Sequence, residues 1–421
     1  MTSRREFLTA TTAGLFAACL SRSGSAAGAA DYDASVPVKV VTRGPRHHWF
    51  GYYDKWQFDP TDRYLLSNEV PFEHRSPTEH DAIKVGYVDL SDGDKWVELG
   101  DTRAWNWQQG CMLQWVPGTE STVAWNDREG NRFVCRLLDV KTGEGRTLPR
   151  AVYNFSPDGK TAISTDFRRL NDVRPGYGYA GLPDPNAEVL RPEDSGIWTI
   201  DVATGATKLV LSIADVAALG EQTPDVVEGK HWFNHLLFNT DGTRFIFLHR
   251  WKPDRGRAAR WKTRMFTANA DGSEPYILDS SGLTSHFIWR DPQHVCAWSG
   301  VKDPAGFYLF KDRTNEVTPV GRGVMTVDGH NTYLPIGDGT EWILCDTYPH
   351  KDRRQTVYLY HVPTGKRTDL GRFHLPVEYK GEWRCDTHPR ASRSGKLVCI
   401  DAPHAKEGRQ LHLLDISTIV G

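Results

Sequence analysis

Beyond its first thirty residues this 421-residue chain has no apolar run long enough to cross a membrane, which excludes a spanning helix there. Charge of one sign is missing too. Lys and Arg number 51 against 53 Asp and Glu, a formal net charge of -2, so there is no basic footprint for nucleic acid. Of the seven cysteines none stands in a Cys-x-x-Cys pair, the spacing of common zinc and redox motifs. Cys111, Cys135, Cys296, Cys345, Cys385 and Cys399 mostly fall in apolar strand patterns. A thiol there packs as a small hydrophobe, so core packing is expected in place of disulfides or metal.

The first thirty residues read differently. Ser3-Arg-Arg-Glu-Phe-Leu8 precedes an uncharged run to Leu20 and a small-residue stretch to Ala30. Twin arginines before a modest apolar segment form an export signal of the Tat type, to be set apart from the fold as residues 1–30. Cleavage near Ala30 would release a periplasmic or secreted protein. The imperfect lipobox ending at Cys19 offers lipid anchoring as the less favoured alternative.

What remains, residues 31–421, is rich in one repeated unit. In His231 to Trp251 an apolar strand ends at Phe238, Asn-Thr-Asp-Gly reverses it, and Phe245 to Leu248 returns apolar on both faces. The same hairpin recurs at Trp49 to Leu66, Gly110 to Trp125, Val152 to Thr165, Ser285 to Trp298, Gly329 to Cys345 and Cys385 to Asp401. Most copies are followed by a second pair of strands, giving four strands every ~40 to 60 residues, the pattern of propeller blades. The last repeat stops after its third strand, Leu411 to Ile416, and Val36 to Val41 can supply the fourth. The expected fold is therefore all-β: one seven-bladed β-propeller domain closed by strands from both termini in one blade, preferred over a stacked sandwich array.

Polar inserts join the second strand to the third in several blades, on the face where the chain enters each innermost strand. Counting back from the turns places His235, His286 and His388 at one equivalent position, with His330 within about two places of it by the same repeat count. Packing has no reason to repeat imidazole at a channel-facing position, whereas proton transfer and metal binding both do.

The same face collects cations and aromatics. Arg168, Arg169, Arg174, Lys252, Arg255, Arg257, Arg260, Arg384 and Arg390 lie on or beside it. Arginine near aromatics suits bidentate capture of an anion. His48 and Tyr53 before blade one, Gln109 at the start of blade two, and Tyr177 and Tyr179 in the long blade-three insert complete the expected substrate-binding set, the tyrosines as platforms for sugar rings.

Gly329-His330-Asn331 and Cys385-Asp-Thr-His388-Pro389-Arg390, within this blade pattern, resemble the oligogalacturonate lyases. That resemblance implies elimination across uronate linkages, a histidine base and a divalent ion, usually manganese. It implies His330 and His388 as metal ligands and His286, with His235 beside it, as base. The family's blade-seven motif is similar to Gln-x-x-His-Pro-His, so Cys385 stands in place of a Gln and Arg390 in place of a His. Arg390 could then itself supply positive charge. Tyr153 and Arg169 resemble the tyrosine and arginine pair of ulvan and related lyases.

Elimination at a 4-linked uronate needs a neutralised carboxylate, a base for the C5 proton and an acid for the departing oxygen. Imidazole fits the base, arginine or a cation the first role, and tyrosine or water the last. The expected partner is an anionic, uronate-containing oligosaccharide. Two rivals stand beside the lyase: a glycoside hydrolase using carboxyl pairs among Asp54, Glu69, Asp328 and Asp386, and a non-catalytic glycan-binding propeller.

Overall fold

The computed structural model describes residues 31–252 and 260–421. Residues 1–30, where the sequence leads one to expect a Tat-type leader with Cys19, lie outside the described residues, as do Arg255 and Arg257.

Seven antiparallel sheets follow one another along the chain, five of them built from consecutive strands alone and two that also take a strand from the N-terminal segment. Blade four, for example, orders Lys230–Phe238, Arg244–Lys252, Lys262–Asn269 and Tyr276–Gly282 from the channel outward. Its inner hairpin turns at Asn239 to Gly242, where Gly242 takes φ +75°. Phe245, Ile246, Phe247 and Leu248 are all buried, since both faces of a blade pack against neighbours. All six cysteines among the described residues are free and buried, four of them, Cys135, Cys296, Cys345 and Cys399, within strands.

Closure is as expected. Val38–Val40 pairs antiparallel with Arg409–Asp415, Val38 facing Leu414 and Val40 facing His412, so blade seven holds one N-terminal and three C-terminal strands. A further strand was not foreseen: Tyr32–Ala34 adds to Lys366–His374 as a fifth strand of blade six. It covers an edge that would otherwise present unpaired backbone.

The second-to-third-strand connections carry the inserts. The longest runs between Thr161–Ser164 and Gly196–Asp201 of blade three and opens with the helix Phe167–Val173, whose N-cap Asp166 accepts from Arg168 N. Residues 212–229 form two short helices, Ile213–Ala217 and Pro224–Glu228. Among the described residues no helix is long and apolar enough to cross a membrane.

Candidate active site

Blade one supplies the centre of the site. Its strand His47–Trp49 pairs with Asn68 to Val70, and the chain then leaves the ladder until Phe58 bridges Leu65. Gly51, at φ +114°, begins this excursion, and a Cβ there would lie 2.7 Å from the Gln109 carbonyl carbon. Only glycine fits. The excursion delivers Tyr52 and Tyr53 to the histidines of four other blades. The Tyr52 ring lies 4.9 Å from His235 and 5.4 Å from His388, and the Tyr53 ring lies 5.2 Å from His330 and 5.9 Å from His286. The Tyr53 hydroxyl donates to Phe287 O at 2.8 Å and accepts from Phe287 N at 3.0 Å, so it is committed to the scaffold.

Each histidine sits where its innermost strand breaks ladder pairing. His235 lies in the register shift between Asn234 and Leu237, and His286 in the one between Thr284 and Phe287. His330 and His388 each precede a two-residue strand, Thr332–Tyr333 and Arg390–Ala391. His235 at φ 54° and His388 at φ 39° adopt left-handed backbone, a strain that accompanies functional positions. The rings of His286 and His330 are 4.2 Å apart, as are those of His330 and His388, while His235 stacks 3.9 Å from Phe287.

Carboxylates orient these rings. His286 Nδ1 lies 2.9 Å from Asp328 Oδ1, leaving Nε2 as the lone-pair nitrogen. Burial leads in pushing this imidazole below its ordinary range, and the neighbouring His330 adds to the effect against Asp328. His330 Nδ1 lies 2.9 Å from Asp346 Oδ1, and its backbone N donates to the same oxygen at 2.7 Å. Gly329 permits that approach, since a Cβ there would collide with the Asp346 carbonyl oxygen. Burial pushes His330 down, but Asp346, with Asp386 and Asp328, outweighs it and holds the ring above its ordinary range. His235 Nε2 is 3.3 Å from Asp54, which Lys55 also pairs at 2.9 Å. Burial raises the Asp54 carboxyl, yet Lys55 and His235 bring it down to about 2.

His330, Asp386 and His388 each offer one ligand atom, all within 4.8 Å of one another. His388 Nε2 is buried with no partner, so it has an unused lone pair or proton at this place. Two imidazoles and a carboxylate suit a borderline-to-hard divalent ion such as manganese, and Asp346 behind His330 is the orienting partner such a ligand needs. The residues fit a metal. Asp386 is held by Arg384, whose Nε lies 2.6 and 2.8 Å from its two oxygens. Tyr348 closes the rim, its ring 6.0 Å from His286 and 5.4 Å from the Arg384 guanidinium.

The structure brings together His235, His286, His330, His388, Tyr53, Tyr177 and Arg384 among the residues expected from sequence. Tyr177 packs with Tyr52 and Tyr53, and Arg174 lies over the Tyr177 ring at 3.6 Å. Gln109 and Tyr153 stand one layer behind: Gln109 Nε2 donates to the Tyr153 hydroxyl at 2.8 Å, and that hydroxyl accepts from His235 N at 2.9 Å.

Five expected residues are placed elsewhere. His48 packs on Trp96 with Nε2 3.6 Å from Glu69, and burial pushes its ring down to about 4. Arg168 forms a two-toothed pair with its N-cap Asp166. Arg169 does not pair with Tyr153. It is buried in the insert, bonded to Asp184 and to the carbonyls of Asn186, Val189, Leu190 and His231. Tyr179 stacks 4.2 Å from Phe167, its hydroxyl accepting from Asn126, so no ring face is offered to a sugar. Arg390 is buried behind His388, donating to Asp401 and Gln57 at 2.8 Å each, so its charge is already compensated. Cys385 packs with Leu375 and Tyr379, and the residue beside it, Asp386, turns toward the histidines instead. Asp346 and Tyr348 carried no sequence signal, because one is an ordinary strand-end acid and the other an insert tyrosine like several more.

No protein-family model and no curated protein sequence matches the chain. Solved structures do. An oligogalacturonate lyase from Vibrio parahaemolyticus is 13% identical over 91% of this chain and 96% of that one, with a TM-score of 0.62. An oligogalacturonate lyase in complex with manganese gives the same identity and TM-score over 91% and 93%. A Mycobacterium tuberculosis puromycin-hydrolysing peptidase is 14% identical over 88% of this chain and 55% of that one, at 0.50. The chain is thus a seven-bladed propeller resembling the oligogalacturonate lyases in fold; at these identities the likeness extends to fold alone.

Proposed function

We propose that the protein is a carbon-oxygen lyase that cleaves uronate-containing oligosaccharides by β-elimination. The observation that carries this reading is His286, oriented by Asp328, with its ring 4.2 Å from that of His330 in the His330, Asp386 and His388 donor set. A base and a carboxylate-neutralising group are adjacent.

His286 Nε2 takes the C5 proton, while Asp328 holds the tautomer and stabilises the imidazolium that forms. The C5 electrons become the C4=C5 double bond as the C4-oxygen bond breaks, and the departing oxygen takes a proton from Tyr348 or water. His330, Asp386 and His388 would hold a divalent ion, manganese by resemblance, which when bound would neutralise the substrate carboxylate and acidify the C5 proton. Arg384, paired with Asp386, orients that carboxylate beside the two histidines. His235, fixed by Asp54 and by the Tyr153 contact to its backbone, supports Tyr52 and Tyr53 under the sugar. An exported lyase fits the Tat-type leader, so we place its work in the periplasm or outside the cell.

The hydrolase reading has less support. It asks for a protonated carboxyl at working pH, whereas Asp54 is held at about 2, and Arg384 with the nearby histidines outweighs burial to lower Asp386. Incubating the protein with galacturonate and glucuronate oligosaccharides separates the readings. A lyase produces the ultraviolet absorbance of a 4,5-unsaturated sugar, and cleavage without it would instead mark a hydrolase. Binding without cleavage would leave a glycan-binding propeller.

A further inference from the structure

Between blades three and four, two arginines, Arg250 and Arg174, have no acidic partner among the described residues. Arg250 is buried, and among the described residues its one side-chain hydrogen bond joins Nε to Thr263 Oγ1 at 3.2 Å. Its Nη1 is buried with no partner. Directly across the ladder stands Trp232, whose indole Nε1, also a donor, is likewise buried and unpartnered. Opposite positions in an antiparallel pair place their side chains on one face. The Trp261 ring lies 5.8 Å from the Arg250 guanidinium and 4.8 Å from that of Arg174, which also covers Tyr177. Among the described residues neither arginine forms an ion pair with a carboxylate.

Buried donors ordinarily find acceptors, and a buried guanidinium ordinarily finds an anion. Burial, with the charge of Arg174, pushes Arg250 down to about 9, so the ligand-free protein bears a cost at this position. Tyr177 packs with Tyr52 and Tyr53, making the patch continuous with the mouth. We propose that Arg250, Arg174 and the Trp232 N–H form a second anion subsite, which takes a carboxylate or sulfate carried by a sugar unit adjoining the one at His286. This deepens the lyase reading and rests on it for the sugar. The anion chemistry stands on the donors alone.

The test titrates the full mature protein with inorganic sulfate and, separately, with galacturonate, following tryptophan emission and the melting midpoint. Wild type should respond saturably to at least one anion, and the one that binds tells sulfate from carboxylate. Arg250→Gln should weaken that binding tenfold or more, while melting no lower than wild type without ligand. Arg174→Gln, at the partly exposed edge, should weaken it as well, which keeps the test decisive should the Arg250 variant fold poorly. Unaltered affinity in both variants, or no saturable response in wild type, overturns the proposal. Because the readout is anion binding, it is decided even where no unsaturated product forms.

Discussion

His286 and Asp328, 42 positions apart in the chain, meet at 2.9 Å between Nδ1 and Oδ1, in the gap between blades five and six. The contact fixes which nitrogen of the ring faces the channel. It also makes the most direct test of the chemistry.

Replacing His286 by Ala should lower turnover by roughly 100-fold or more, the contribution of a positioned base. Asp328→Asn should cost about tenfold by loosening the ring's orientation while sparing the ring itself. Both are read from the rate of ultraviolet product formation, with circular dichroism to confirm folding. A folded His286→Ala variant that retains full activity would remove the residue from the mechanism.

Metal content is measured independently of activity. Protein purified without chelator and exposed to manganese should carry about one equivalent, and His330→Ala or His388→Ala should carry much less. Asp386→Asn should reduce affinity to a smaller degree, since one neutral oxygen ligand remains. Elemental analysis showing equal manganese in wild type and the His388 variant would displace the ion from this set.

Closure is tested by truncation. Deleting Val36 to Val41 removes three ladder pairs with Arg409–Asp415 and bares the edge of blade seven, so the protein should aggregate or melt much lower. Ending the deletion at Ser35 removes only the added strand of blade six and should cost less. Equal melting of both truncations and the full mature chain would mean the ring does not depend on its N-terminal strand.

Acid should loosen blade four. His231 Nδ1 lies 2.8 Å from His249 Nε2, burial pushes His231 down to about 4, and burial with the charge of His231 pushes His249 well down too. Both folded-state values lie below the unfolded value of about 6.5, so protons favour the unfolded chain. The stability these rings contribute is whole above pH 6.5 and is lost as pH falls toward 4, about 3 kcal/mol for His231 alone. Chemical denaturation from pH 7 to 4 should show a steeper decline in wild type than in His249→Leu. Parallel curves would mean the pair does not titrate with folding.

The repeat was legible in the chain because a blade is made locally. Polar hairpin turns such as Asn239 to Gly242, strands apolar on both faces and a missing last strand are all properties of neighbouring residues, and they imply seven blades and terminal closure. The histidine register was legible for the same reason, since each repeat brings its equivalent position to the channel. Which charged and aromatic groups join those histidines was not. Arg169 and Arg390 read in sequence much like Arg384, yet Asp184 and a set of carbonyls hold the first, Asp401 and Gln57 the second, and only the third reaches the mouth. Cys385 stood where a ligand was expected, but successive residues point to opposite sides of an extended chain, so the adjacent Asp386 turned inward instead. The left-handed backbone at His235 and His388, and the meeting of His286 with Asp328, likewise depend on how blades abut. Local pattern determined the ring, whereas the partners of each charge were decided by packing between segments far apart in sequence, where burial leaves a charge stable only beside what can compensate it.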